Sequence, residues 1–459
     1  MTKHEFNPTI LREYDIRGII DETLFDADAE AIGRAFGTLL AKDGYRNVAV
    51  GYDGRKTSPK LKAALTRGLT STGIDVFDIG MGPTPMLYYA TYALKAGGGI
   101  MITGSHNPPS HNGFKMMLGG KSFYGQQIQA LGRLSASGPF AEGAGEVIDH
   151  PIQEAYVARL MEDFVKGRDL SVVWDCGNGV TGEALRKIVA KLPGRHMLLF
   201  DEIDGSFPNH HPDPTVAENL EDMIRTVRGV NADLGIAFDG DGDRIGVVDG
   251  QGRILWGDQL LAILSREILA NSPGASIIAD VKASQILFDA IRDLGGDPIM
   301  WRTGHSLIKS KMQEVNAPLA GEMSGHIFYN DRYYGYDDAL YVALRLLNIL
   351  SATDQSLGAM RDELPEMINT PELRFACPDE EKFDAVTRIQ DALAAAGANY
   401  SDIDGVRVNT EDGWWLLRAS NTQAVLVARC EARDDAGLSR LKSQLQEALL
   451  NANVDAPTF

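Results

Sequence analysis

Gly99-Ile100-Met101-Ile102 runs straight into Thr103-Gly104-Ser105-His106-Asn107-Pro108-Pro109. The apolar run reads as a buried strand, and a glycine followed by a hydroxyl, an imidazole, an amide and two prolines reads as a rigid loop at its end. Taken alone, such a loop is most simply a surface turn, because Ser, Asn and Pro favour turns for backbone reasons. What decides the fold is that the junction has two counterparts. Leu234-Gly235-Ile236-Ala237-Phe238 runs into Asp239-Gly240-Asp241-Gly242-Asp243-Arg244, and Pro318-Leu319-Ala320 runs into Gly321-Glu322-Met323-Ser324-Gly325-His326.

The same order of elements precedes each junction. Asn47-Val48-Ala49-Val50 is followed by Gly51-Tyr52-Asp53-Gly54, a helical pattern over 59–71 and a strand over 75–79. Ser171-Val172-Val173-Trp174 is followed by Asp175-Cys176-Gly177-Asn178-Gly179, a helix over 183–191 and a strand over 197–200. Ser276-Ile277-Ile278-Ala279 is followed by Asp280-Val281-Lys282, a helix over 284–294 and a strand over 298–301. Short strands alternating with amphipathic helices predict parallel or mixed sheets with helices on both faces. Ligands of open α/β sheets collect beyond the carboxyl ends of the strands, so three equivalent loops are expected to converge on one cleft.

Turn signals at His150-Pro151, at Asp249-Gly250-Gln251-Gly252 and over 365–371 divide the chain into units at 1–150, 151–252, 253–367 and 368–459. Beyond Pro371 the pattern changes to a strand at 373–375, a helix over 380–395, strands near Val406, at 414–417 and at 424–428, and a last helix from Ala436. The expected fold class is therefore α/β, with three related α/β domains of mixed sheets and a smaller C-terminal α+β domain.

Charge narrows what the chain binds. Lys and Arg total 44 against 63 Asp and Glu, a formal net charge of -19, which opposes a nucleic-acid or anionic-membrane partner. An anionic small molecule then requires cations concentrated locally. Residues 1–12 lack the apolar core of a signal peptide, and no stretch reaches ~18 uninterrupted apolar residues, so a cytoplasmic location is expected. Cys176, Cys377 and Cys430 lie far apart without metal-ligand spacing and read as buried thiols in a reducing compartment.

Asp239, Asp241 and Asp243 alternate with glycines, so their carboxylates can fold around a cation while the glycines permit a tight backbone. An EF-hand would need Gly and Glu where Arg244 and Gly250 stand, and Mg²⁺ is preferred over that reading; a solvated acidic turn is the other alternative. Gly177-Asn178-Gly179-Val180-Thr181-Gly182 matches a dinucleotide-binding glycine pattern, with Asp201 at the distance of a ribose-binding acid. That makes an NAD-dependent dehydrogenase the main rival from another class. Against it, the equivalent places in the other copies, Gly51-Tyr52-Asp53-Gly54 and Asp280-Val281-Lys282, lack the pattern. In the third loop Glu322 and Ser324 can point the same way toward sugar hydroxyls, with His326 beside them. In the tail, Arg418-Ala419-Ser420-Asn421-Thr422 follows a strand and offers a guanidinium fork, hydroxyls and turn N–H groups to a phosphate, or else is a polar hairpin turn. Arg17, in Tyr14-Asp15-Ile16-Arg17-Gly18, is free to face the same cleft or a surface carboxylate.

This ordered set of motifs, from Tyr14-Asp15-Ile16-Arg17-Gly18 to Arg418–Thr422, closely resembles the α-D-phosphohexomutase family, in particular its bacterial phosphomannomutase/phosphoglucomutase members, over essentially the whole chain. The resemblance implies four domains around a central cleft and interconversion of hexose 1-phosphate and hexose 6-phosphate, glucose or mannose, through phosphorylated Ser105 and a 1,6-bisphosphate that is both intermediate and activator. It implies Mg²⁺ between Ser105 and Asp239, Asp241 and Asp243. Tyr14, Arg17, Lys115, Arg244, Lys282, His305 and His326 would belong to the cleft, Lys115 and His326 as the acid/base candidates and Tyr14 as a substrate-binding residue. Glu322 and Ser324 would hold sugar hydroxyls, and Arg418, Ser420, Asn421 and Thr422 the phosphate that is not reacting. Sugar phosphates are the implied partners, for a monomer or homodimer. Gly104 departs from the alanine commoner in the family and is expected to loosen the serine loop. Phosphoglucosamine mutase is the nearest alternative within the family, disfavoured by Met323, and a non-catalytic sugar-phosphate binder is an alternative outside it.

Overall fold

The apolar strands that open each copy become interior strands of three sheets in the computed structural model, which describes residues 2–421 and 424–454. Asn47–Tyr52, Leu170–Asp175 and Ser276–Asp280 each pair in parallel on both sides, where near-continuous burial of Val, Ile and Ala needs no polar alternation. Strand order repeats across the copies. Asp75–Met81, Asn47–Tyr52, Gly98–Ile102 and His111–Leu118 in the first correspond to Gly194–Leu199, Leu170–Asp175, Leu234–Phe238 and Ile245–Asp249 in the second, and to Asp297–Trp301, Ser276–Asp280, Leu319–Gly321 and Ile327–Tyr329 in the third. In every copy the last pair is antiparallel, and the reversal between its strands is the polar loop. The reversal places each loop at the carboxyl end of a parallel strand, and so at the cleft.

One apolar core runs through the first three units, and the first also has a core of its own around Phe36, Leu65 and Phe114. Met86, Leu87 and Tyr88, on the helix Thr84–Ala93, pack with Trp174 and Leu185 of the second unit and with Leu264 and Leu344 of the third. Ala339–Ser351 is apolar nearly all round, as a helix buried on every side must be, and Asp338 caps it by accepting the Leu340 and Tyr341 N–H groups at 3.1 Å each.

The fourth unit has its own core. Its sheet is antiparallel, and helices Lys382–Ala395 and Asp435–Asn451 cover one face with Ile389, Leu441 and Leu445 against Trp415, Leu417 and Leu426. Side chains alternate along Gly413–Ala419, so Trp414 and Leu416 point the other way, toward Val281 of the third unit. Arg407 lies 3.8 Å over the Trp414 ring and donates to the carbonyls of Val281 at 2.7 Å and Ala283 at 2.8 Å; Arg429 takes that of Lys282 at 2.6 Å. Burial pushes the Arg407 guanidinium down to about 9. Arg407→Met would leave two buried carbonyls unpaired and is expected to cost about 3 kcal/mol. A lowered urea midpoint for the tryptophan fluorescence of the fourth unit would show it. Among the described residues, no helix is long and apolar enough to cross a membrane.

Candidate active site

Ser105 stands at φ +49°, left-handed backbone that costs a non-glycine residue on the order of 1 kcal/mol. Both of its peptide groups are anchored: its N–H donates to Thr103 Oγ1 at 2.8 Å, and its carbonyl accepts from Arg55 Nη2 at 2.7 Å. The hydroxyl donates to Asp239 Oδ2 at 2.8 Å, with His106 Nδ1 3.2 Å away. Burial, then the charges of Arg244 and Arg17, hold the His106 imidazole well below its usual range. Gly104, expected to loosen this loop, has a packing role in the structure. A Cβ there would sit 2.4 Å from the Arg55 guanidinium carbon, so the missing methyl is what admits the guanidinium.

The acidic loop packs directly beneath. A Cβ on Gly240 would lie 2.5 Å from the Ser105 carbonyl oxygen, so the glycine permits the approach. Asp239, Asp241 and Asp243 are fully buried and present oxygens within 4.8 Å of one another. Asp239 Oδ1 accepts the N–H groups of Gly242 at 3.0 Å and of Asp243 and Arg244 at 3.1 Å each. Lys115 Nζ donates to Asp241 Oδ2 at 2.7 Å and Asp243 Oδ2 at 2.5 Å, and Thr84 Oγ1 donates to Asp241 Oδ2 at 2.6 Å. Among the described residues, Oδ1 of Asp241 and Oδ1 of Asp243 have no hydrogen-bond partner and are buried. Unpartnered carboxylate oxygens beside a third carboxylate and a hydroxyl form an all-oxygen donor set that fits a hard divalent cation. Burial, then repulsion from Asp241 and Asp243, pushes the Asp239 carboxyl well above the usual range. For Lys115, burial works to lower the pKa but the surrounding carboxylates outweigh it, and the ammonium is held protonated.

Next to the triad, Arg244 Nε donates to His326 Nε2 at 3.0 Å, while His326 Nδ1 lies 2.9 Å from Asp337 Oδ2 and 3.5 Å from Asp243 Oδ1. An arginine N–H only donates, so Nε2 is the acceptor and Nδ1 carries the proton facing Asp337. Asp337 Oδ1 in turn takes Lys309 Nζ at 3.1 Å. His305 stacks on His326 at 5.5 Å between centroids, and burial, then Lys309, lowers its pKa well below the usual range. Tyr14 meets His305 edge-on at 5.9 Å, donates to the Thr303 carbonyl at 2.8 Å and accepts from Asn421 Nδ2 at 2.7 Å, which joins the first, third and fourth units across the cleft.

Other expected residues are also engaged. Arg17 pairs with Asp15 at 2.5 Å and donates to Asn107 Oδ1 at 2.8 Å. Glu322 accepts the Gly304 N–H at 2.7 Å and the Ser324 hydroxyl at 2.8 Å. Lys282 reaches Glu372 of the fourth unit at 3.1 Å, Arg418 pairs with Asp404 at 2.9 Å, and the Ser420 N–H donates to the Val425 carbonyl at 3.0 Å. Thr422 lies outside the described residues.

Thr84, Asp337 and Arg55 belong to this neighbourhood and were not anticipated. A signal for Arg55 was present: Asp53-Gly54-Arg55 and Asp280-Val281-Lys282 are the same Asp-x-base step after the first strand of two copies. Nothing in the pattern singles out Asp337. The dinucleotide-like stretch, by contrast, is used up internally. Gly177 N–H donates to Asp175 Oδ1 at 2.9 Å, Asn178 N–H to the Phe200 carbonyl at 2.8 Å, Gly179 N–H to the Cys176 carbonyl at 2.7 Å and Val180 N–H to the Gly240 carbonyl at 3.2 Å, while Asp201 pairs with Arg186 at 2.5 Å, so the N–H groups and the acid that a dinucleotide would need are engaged within the fold.

Comparison with known proteins bears on this geometry. The chain matches the phosphoglucomutase/phosphomannomutase alpha/beta/alpha domains I, II and III over residues 8–140, 154–252 and 256–368, and the C-terminal domain of the same family over 372–448. It is 44% identical to a phosphomannomutase/phosphoglucomutase of Pseudomonas aeruginosa over 98% of this chain and 97% of that protein. It is 43% identical to a phosphoglucomutase of Neisseria gonorrhoeae over 97% of each. A crystal structure of a phosphoglucomutase/phosphomannomutase family protein from Burkholderia thailandensis superposes with a TM-score of 0.93 at 42% identity, covering 98% of this chain and 99% of that one.

Proposed function

We propose, from the premise that this chain belongs to the phosphoglucomutase/phosphomannomutase family, that its cleft moves a phosphoryl group between carbons 1 and 6 of glucose and mannose phosphates by way of Ser105. The observation that carries this reading is the Ser105 hydroxyl, buried and 2.8 Å from Asp239 in a carboxylate triad with unpartnered oxygens.

Phospho-Ser105 donates to the free sugar hydroxyl: the new O–P bond forms as the Oγ–P bond breaks, leaving a hexose 1,6-bisphosphate. The bisphosphate turns over and returns its other phosphate to Ser105. His326, with an acceptor at Nε2, is the group suited to take the hydroxyl proton, while Lys115, the other acid/base candidate, is held as an ammonium by Asp241 and Asp243, which favours charge stabilisation over release of its proton. A phosphoserine facing a second dianion at ~5 Å would be opposed by about 13 kcal/mol at an effective dielectric of ~20, so the cleft needs compensating charge. Mg²⁺, when held by Asp239, Asp241 and Asp243 beside Ser105, supplies positive charge to the transferring phosphoryl group. Arg17, Arg244 and Lys282 serve the same end from the protein side, and His305, its pKa lowered by burial, offers the phosphate a neutral imidazole. Arg418, Ser420 and Asn421, with Thr422, take the phosphate that is not reacting, and Glu322 and Ser324 take sugar hydroxyls.

Turning the bisphosphate over calls for movement of a wall. The fourth unit has a separate core, and its connection at 365–371 borders a cavity of about 470 Å³ lined also by Arg429 and Glu431. On this reading the unit swings as a lid about that connection, and scattering with and without sugar phosphate is expected to differ. Monomer or homodimer, and residence in the cytoplasm, complete the reading.

Initial rates on glucose 1-phosphate, mannose 1-phosphate and glucosamine 1-phosphate, with a bisphosphate activator, test the assignment. The first two are expected to turn over well. Glu322→Gln is expected to raise KM for both by about 10- to 100-fold, because it weakens two hydroxyl contacts in a buried site. A clear preference for glucosamine 1-phosphate would move the chain to the alternative branch.

A further inference from the structure

Arg55 takes no part in the chemistry above, yet all five of its side-chain N–H donors are committed around the serine loop. Nε donates to Asp53 Oδ2 at 3.1 Å; Nη1 to the carbonyls of Pro108 at 2.7 Å and His111 at 3.1 Å; Nη2 to those of Ser105 at 2.7 Å and Asn107 at 2.6 Å. Asp53 closes the arrangement by accepting the Gly104 N–H at 3.0 Å and the Ser58 hydroxyl at 2.6 Å. The Arg55 side chain is 1% exposed, and the ring of Phe207, from the second unit, covers it at 5.2 Å.

A loop that turns through buried space must satisfy its carbonyls away from the ladders of a sheet. A planar guanidinium presents donors in a fixed fork, so it dictates the spacing of the carbonyls it holds, which a lysine ammonium on a flexible stem does not. Gly104 is the other half of the fit, since a methyl there would occupy the guanidinium's place.

We propose that Arg55 is a positioning residue for phosphoryl transfer: a buried template for the backbone of residues 105–111 that keeps Ser105 in its left-handed conformation and its Oγ at Asp239. The proposal rests on the phosphoserine reading of Ser105. A shift of ~1 Å in a reacting atom costs roughly 100-fold in rate, so the template acts on kcat without touching substrate.

The test uses the full chain with Arg55→Gly and Arg55→Lys, the latter keeping charge and stem should the glycine variant fail to fold. Arg55→Gly is expected to lose about 100-fold in kcat for glucose 1-phosphate with KM nearly unchanged, and Arg55→Lys to lose less. Amide hydrogen exchange is expected to quicken at 104–111 while Asn47–Tyr52 and Gly98–Ile102 stay protected. Millimolar guanidinium should restore part of kcat to Arg55→Gly and slow that exchange again. Wild-type exchange at 104–111 in both variants would overturn the template, as would loss of protection throughout the first unit without rescue by guanidinium. If wild-type Ser105 never carried phosphate, the phosphoserine reading would fall, while the exchange data would still decide whether Arg55 holds the loop.

Discussion

Ser105→Ala is expected to lower kcat by about 10⁴-fold or more while the enzyme still binds glucose 1-phosphate within a few-fold of wild type. The asymmetry follows from where the hydroxyl sits. Ser105 contacts Asp239 and His106, whereas the sugar and the distal phosphate are assigned to Glu322, Ser324, Arg418, Ser420 and Asn421, on different loops. Removing one oxygen therefore deletes the phosphoryl carrier and leaves the binding surfaces intact. Methyl for hydroxymethyl also leaves the Ser105 peptide anchors to Thr103 and Arg55 in place. Coupled-assay kinetics, calorimetric binding and intact mass with phosphopeptide mapping check the three parts separately. Wild-type turnover in Ser105→Ala would sink the mechanism.

Stripping divalent metal is expected to cost about 1000-fold or more in turnover, restored by Mg²⁺, since charge on a transferring phosphoryl group would lose several kcal/mol of stabilisation. Folding should respond as well. Among the described residues Asp241 and Asp243 each bury one oxygen without a hydrogen-bond partner, and Asp239 is pushed toward its protonated form by burial and by those neighbours, so a cation at the triad would meet charge that Lys115 alone does not balance. Mg²⁺ at 100 times its Kd should stabilise the protein by about 2.7 kcal/mol, seen as a rise in Tm. Asp241→Asn removes one ligand charge and a partner of Lys115, and should abolish most of both responses. Full activity in protein shown metal-free by atomic absorption would remove the triad from the mechanism.

Much of this was legible in the order of residues. Strands at the head of each copy were readable because burial on both faces demands unbroken apolar runs, and the three polar loops because each ends such a run. Asp239, Asp241 and Asp243, alternating with glycine, read as a candidate cation site. Asp337 was illegible, and Arg55 was legible only as a step shared with Lys282 and not in its role, for the opposite reason: each acts on a residue remote in the chain, Arg55 on carbonyls of 105–111 and Asp337 on His326. The glycine-rich stretch at 177–182 misleads for a related reason, since its pattern describes a local turn and cannot say that its N–H groups are spent on the carbonyls of Phe200 and Gly240.

Local order along the chain therefore determined the repeat, the α/β class and the chemical types at the cleft, because strand burial and turn chemistry are written in neighbouring residues. Tertiary structure alone decided how those types are used. It set Lys115 as a protonated donor between two carboxylates, turned the His326 acceptor nitrogen toward Arg244, and made Gly104 the seat of the Arg55 guanidinium. Protonation, tautomer and backbone strain depend on distances between groups far apart in sequence, and only the folded packing sets those distances.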